Sequence, residues 1–357
     1  MLDKQDRHRL VELGIKLIQD KSLLNAFLEP AGIKTKNINL NGSPKVFWES
    51  VVEQVSAQNK EQAFIAALLT KFNESELKDF KDSIDANSLE KQIAHIKSMI
   101  AGRDCVLFLG PEFLTCRDSI SRAYIPFNKY LSKKLAQSLM EDDIYFETNE
   151  EENLSYIINC YEQSPGFFNS MTGYTAEKIY TDGRIMNSFY HELFEMDFPL
   201  IINTNPDTII PDFFKDRCIQ GHYDQTNNPD SIFSIPSGNK KTIVYNIFGS
   251  FANPASIMFT EKQAVEFTRR AYQKQPGIPK AIREMVESSF GLFVGFDFLD
   301  WHFKILFDVL DLKHKPGNYS ITEYNTLVEE RHKAYYQREY NMRFLTNDIG
   351  DLLTSLK

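Results

Sequence analysis

The sequence predicts an α/β protein in which a Rossmann-like parallel sheet flanked by helices follows a small all-helical bundle. Four short apolar runs, at residues 105–110, 199–202, 242–247 and 291–295, lack polar alternation. That is how strands buried on both faces read. Helical patterns at 127–140, 187–194, 261–272 and 303–312 fall between or after these runs, so the strands are joined by crossovers into a parallel sheet. The stretch 1–82 shows helical periodicity alone.

A chain of 357 residues suits two compact units. Apolar residues make up 42% and charged residues 25%, which is globular composition. With 28 Phe and 2 Trp, much of the core is expected to be built on phenyl rings. A net charge of −9 without a basic stripe argues against a nucleic-acid binder, because phosphate contact needs a basic field. Cys105, Cys116, Cys160 and Cys218 form no CxxC pair, so no four-thiolate zinc site is expected. Scattered thiols and a polar N-terminus that excludes a signal peptide predict a cytoplasmic protein. No apolar run nears the roughly 18 residues that span a bilayer, so no membrane association is expected.

In the helical part, Leu10, Leu13, Leu17, Val11 and Ile18 form one apolar stripe. Asn41-Gly42-Ser43-Pro44 is a turn and helix start: Ser43 can cap the free amides and Pro44 suits the first turn. Phe47, Val51 and Val55 line the next helix, and Phe64, Ile65, Leu68 and Leu69 another running towards Asn73. Trp48, beside the Phe47 stripe, either completes this unit's own core or anchors a partner. Exposed charges such as Glu49, Glu53, Lys60 and Glu61 would then set partner choice. Residues 83–97 are polar with helical spacing and are expected to link this unit to the domain at 98–357. The acidic stretch from Glu141 to Glu152 reads as a solvated loop in preference to a metal site.

In an open parallel sheet, ligands bind beyond the carboxyl ends of the strands. The residues there are Gly110-Pro111-Glu112-Phe113-Leu114, Asn203-Thr204-Asn205-Pro206-Asp207, Phe248-Gly249-Ser250 and Phe296-Asp297-Phe298-Leu299-Asp300. Singly these are ordinary turn sequences. Together, their order resembles the sirtuin-like superfamily, and within it the bacterial defence-associated branch. Segments 253–260, 335–337 and 344–353 add to the resemblance, which spans 98–357 and includes no zinc ribbon. It implies an NAD or ADP-ribose-related nucleotide as ligand and no metal. Cofactor contacts are then expected at Gly110, Pro111, Glu112, Asn205, Asp207, Gly249, Ser250, Gly295 and Asp297.

The departures bear on activity. Asn205 keeps the place of the catalytic Asn, which in active members positions the water and nicotinamide ribose. Phe248 stands where the family's histidine acts as general base, and a phenyl ring transfers no proton. Glu112 replaces a glycine of the phosphate loop, and Asp297 replaces a serine. Both changes set carboxylates where a diphosphate wants amide donors. A substitute base could come from Glu112, if burial raises its pKa, or from His222 in a loop between the Asn motif and the third strand.

Segments 9–13, 30–33, 42–48 and 67–73 resemble the bacterial effector-associated, death-like domains. The resemblance implies that residues 1–82 pair with a like domain on a partner effector; the alternative is a helical cap on the α/β domain. The expected function is a pseudoenzyme of bacterial immunity, a nucleotide-binding sensor or scaffold in antiviral or conflict signalling. The rival readings are an NAD glycohydrolase that depletes NAD on infection, using Asn205 with a non-standard base, and a purely structural subunit. A homo-oligomer is left open.

Overall fold

In the computed structural model, the chain divides by its internal contacts into residues 1–94 and 95–357. The structure describes residues 4–18, 23–34, 38, 42–58, 60–72, 75–86, 89–118, 123–163, 172–182, 189–224, 233–236, 238–274, 277–298, 301–315, 317–322, 330–346 and 349–357. Of the residues singled out above, Asn41, Asn73, Leu299 and Asp300 lie outside these.

The first unit is helical: α1 (Lys4–Leu17), α2 (Asn25–Leu28), α3 (Pro44–Ala57), α4 (Glu61–Lys71) and α5 (Ser75–Ala86). Ser43 caps α3 as its sequence predicts, its Oγ accepting from the Val46 amide at 3.4 Å with Pro44 in the first turn. Leu10, Leu13, Phe47, Val51, Val55, Phe64 and Leu68 meet in one core. Trp48 belongs to that core: it is 1% exposed and its ring packs edge-on against Phe47, with centroids 5.7 Å apart. The reading of Trp48 as an anchor for a partner is therefore corrected. Gly14 in α1 explains the depth of the indole, since a Cβ there would overlap the Trp48 ring. The stretch expected to link the units is helical where described, shared between the end of α5 and α6 (Leu89–Ala101).

The second unit is built on a seven-stranded sheet of β1 (Cys105–Leu109), β4 (Leu200–Asn203), β5 (Cys218–His222), β6 (Thr242–Asn246), β7 (Phe290–Val294), β8 (Asn318–Thr322) and β9 (Met342–Thr346). Their order is β5-β6-β4-β1-β7-β8-β9, and every pairing is parallel. A separate antiparallel hairpin pairs β2 (Thr115–Arg117) with β3 (Tyr124–Pro126). The chain leaves β1 towards β4 and later returns to its other side at β7, so the order reverses at β1. That reversal opens a crevice at the strands' carboxyl ends.

Helices α7 (Phe127–Glu141), α8 (Leu154–Glu162), α9 (Thr172–Asp182), α10 (Phe189–Phe194) and α11 (Ile209–Phe214) come from the first half of this unit. From the second half come α12 (Glu261–Gln273), α13 (Lys280–Ser288), α14 (Trp301–Val309), α15 (Glu330–Tyr340) and α16 (Ile349–Leu356). The core is rich in phenyl rings: Phe108 stacks on Phe293 with centroids 4.2 Å apart, and Phe293 meets Phe307 at 5.0 Å. Within the acidic stretch, Glu152 pairs with Lys129 and Lys133 at 3.3 and 3.0 Å. No described helix is long and apolar enough to cross a membrane.

Candidate functional site

Sheet register sets the site. Leu109 lies opposite Asn203, Asn203 opposite Asn246, Asn246 opposite His222, and Leu109 also opposite Val294. Five strands therefore end at one level, and the loops that follow start side by side. The β1 and β7 loops interlock through glycine. Gly110 N donates to Val294 O at 2.8 Å and Glu112 N to Gly295 O at 3.0 Å. A Cβ on Gly110 would overlap the Gly295 carbonyl, and Gly295 holds φ at 74°, a conformation that side chains resist. Gly110 thus keeps its bare backbone for the neighbouring loop.

The polar residues of the Asn motif bond chiefly to one another. Asn205 is 2% exposed; its Nδ2 donates to Gly110 O at 2.9 Å and to Asn203 Oδ1 at 3.3 Å. Thr204 donates its amide and hydroxyl to Leu109 O, at 3.0 and 2.8 Å. Asn246 Nδ2 donates to the Asn205 and Asp207 carbonyls at 2.7 and 3.0 Å. The wholly buried Asp207 carboxylate accepts from Asn203 Nδ2, Ile209 N and Tyr190 OH at 3.0, 3.0 and 3.3 Å. Burial pushes its pKa up against those donors. Asp207 and Asn205 thus knit the strand ends together.

The other candidates are dispersed. Gly249 turns with φ at 90° and Ser250, fully buried, takes its amide's partner from Ser256 Oγ at 3.1 Å. Glu112 and Asp297 are half-buried. His222 sits not in a loop but at the end of β5, two strands from β4, roughly 10 Å by strand spacing. It borders a separate hollow of about 100 Å³ with Gln220, Asp224 and Tyr245. Burial lowers its pKa, Asp224 opposing, so the ring is neutral at pH 7. Its Nε2 lies 3.4 Å from Asn253 Nδ2.

A cavity of about 400 Å³ opens beyond β1, β4 and β6, within the size range of small-molecule sites. Pro111 and Phe248 are the predicted site residues on its wall, beside Thr204 and Pro206 of the Asn motif. Phe248 is half-buried with its ring edge-on to Phe267, centroids 5.4 Å apart. The remaining lining comes from residues not assigned above: Asn128 at the start of α7, Asn153 to Ser155 at the start of α8, Ile257 to Glu261 and Ala264 around the start of α12, and Phe303 in α14. Asn153 caps α8 through the Tyr156 amide at 3.1 Å, and Thr260 with Gln263 forms a capping box on α12. The spacing Thr-x-x-Gln is legible in sequence; its position over a cavity is not. Glu261 N donates to Ser155 Oγ at 3.1 Å, joining the two helix starts. Among the described residues no group of His, Cys, Asp and Glu is placed to hold a metal ion.

The cavity offers apolar faces to a flat ring, and neutral donors and acceptors to hydroxyls and amides. Among the described lining residues the one charged side chain is Glu261.

Residues 199–345 match the SIR2-like domain family, a span running from β4 through β9. No curated protein matches the chain. The match spans less than half of the 357-residue chain, and what it shows is that this part of the α/β unit is similar to SIR2-like domains.

Proposed function

We propose that the α/β unit is a nucleotide-binding sensor or scaffold that does not cleave its ligand, and that residues 1–82 recruit a partner effector in a bacterial conflict system. The observation that carries the first half is Phe248. It lies on the cavity wall, and a phenyl ring there supplies no proton transfer. Asn205, the other expected catalytic group, commits both its amide hydrogens to Gly110 and Asn203. His222 borders a different hollow. The second half rests on the resemblance of the first unit to effector-associated, death-like domains.

The test is to incubate the purified chain with NAD and follow free nicotinamide, while binding is measured by calorimetry. NAD or ADP-ribose should bind, and nicotinamide release should stay at background. A missing base forfeits about a hundredfold to ten-thousandfold in rate. Release that disappears in Asn205→Ala would establish the glycohydrolase reading instead. For the recruiting role, a partner with a like helical domain should be captured by the full chain and not by residues 95–357.

A further inference from the structure

Three polar groups in the 400 Å³ cavity keep hydrogen-bonding capacity that the described residues do not use. The Asn128 side-chain amide, half-buried at the start of α7, makes no hydrogen bond among the described residues. The Ser155 hydroxyl accepts from the Glu261 amide and has its proton to give. The Glu261 carboxylate is exposed and has no cationic partner among the described residues. Elsewhere at the strand ends most polar groups bond to one another, as Asn203, Asn205, Asp207 and the Asn246 Nδ2 do, with the buried Asn246 Oδ1 left without a partner among the described residues but away from this cavity's lining. Uncommitted groups facing one cavity are what a ligand would use.

Their arrangement has a direction. Burial across the lining is graded, from Phe303 and Met258 at 3% and 9% exposed, through the half-buried Phe248 and Asn128, to the exposed Glu261, which marks the solvent-facing mouth. We infer that this cavity receives a ribonucleoside moiety, with the base among Phe248, Phe303 and Met258, its polar edge read by Asn128, and the ribose hydroxyls donating to Glu261. An amide is both donor and acceptor and so matches a base edge. A carboxylate accepts from hydroxyls on neighbouring carbons and repels phosphate. The phosphates of a larger nucleotide therefore project out through the mouth into solvent. This assignment rests on the nucleotide-binding reading above and adds which part of the ligand enters and which residues hold it.

Calorimetry on the full chain tests it, with adenosine, 2′-deoxyadenosine, nicotinamide riboside, ADP-ribose and NAD as probes. At least one of the two ribonucleosides should bind. If that one is adenosine, loss of one hydroxyl in 2′-deoxyadenosine should weaken binding about tenfold, as expected for a charge-assisted hydrogen bond. Glu261→Ala should remove that preference, and Asn128→Ala should weaken the bound nucleoside about tenfold. Unliganded melting temperatures should be close to wild type for both variants, since neither side chain makes an internal bond among the described residues. Binding of NAD or ADP-ribose that neither variant alters, with no nucleoside bound, would overturn the assignment while leaving the nucleotide-binding reading standing. Binding of none of the five probes would overturn both.

Discussion

Lys315 offers a quantitative test of the α/β unit. Its side chain is 5% exposed, its Nζ makes no hydrogen bond among the described residues, and the ammonium lies 5.1 Å from the Phe108 ring centroid. Burial lowers its pKa from 10.5 to about 7, opposed only by Cys105, whose own thiol burial pushes up to about 12. The unfolded chain keeps the proton up to about 10.5, whereas the folded chain releases it near 7. Between those values the unfolded state binds more protons, so stability rises with pH across that window and falls as pH returns to 7. The interval corresponds to at most about 5 kcal/mol, and the contact with Phe108 offsets up to about 2 kcal/mol. Lys315→Met keeps much of the volume and removes the charge. Urea midpoints for both proteins from pH 6.5 to 10.5 give a difference curve in which groups shared by the two cancel. The variant should be more stable by about 2–5 kcal/mol at pH 7, with the advantage shrinking towards pH 10.5. A variant less stable at pH 7, or a constant difference, would refute the reasoning, because it would mean that a partner keeps the buried ammonium charged.

Two further substitutions separate structural from recognition roles. Trp48→Ala should cost the helical unit about 3–5 kcal/mol, seen as early loss of helical signal in a urea titration; unchanged stability with lost partner capture would make Trp48 an anchor after all. Asn205→Ala strips the Gly110 carbonyl and Asn203 Oδ1 of a donor and should cost about 1–3 kcal/mol. An unchanged urea midpoint together with altered nucleotide binding would show that Asn205 faces the ligand instead.

Much of the fold was legible because burial on both faces leaves a continuous apolar run. The runs at 105–110, 199–202, 242–247 and 291–295 correspond to β1, β4, β6 and β7. β5 escaped because Gln220, Gly221 and His222 break its apolar pattern, and β8 because Asn318 and Ser320 do so in a strand that is buried regardless. Their identity as strands depends on neighbours that supply the missing hydrogen bonds.

Composition, order and local spacing determined the α/β class, the helical first unit, the cap at Ser43 and the set of loops that gather at the strand ends. These are properties of nearest neighbours along the chain, and backbone sterics and burial write them into the sequence directly. Tertiary structure alone decided which polar groups turn inwards. Asn205, Asn246 and Asn128 share one side chain, yet the first two bind the loops together and the third faces a cavity. The cavity walls bring together residues as far apart as Ser155 and Glu261, and Trp48 lies in the core because Gly14 of another helix leaves room for its ring. A hydrogen-bond partner or a packing neighbour is chosen by proximity after folding, and the side chain's own identity carries no record of that choice.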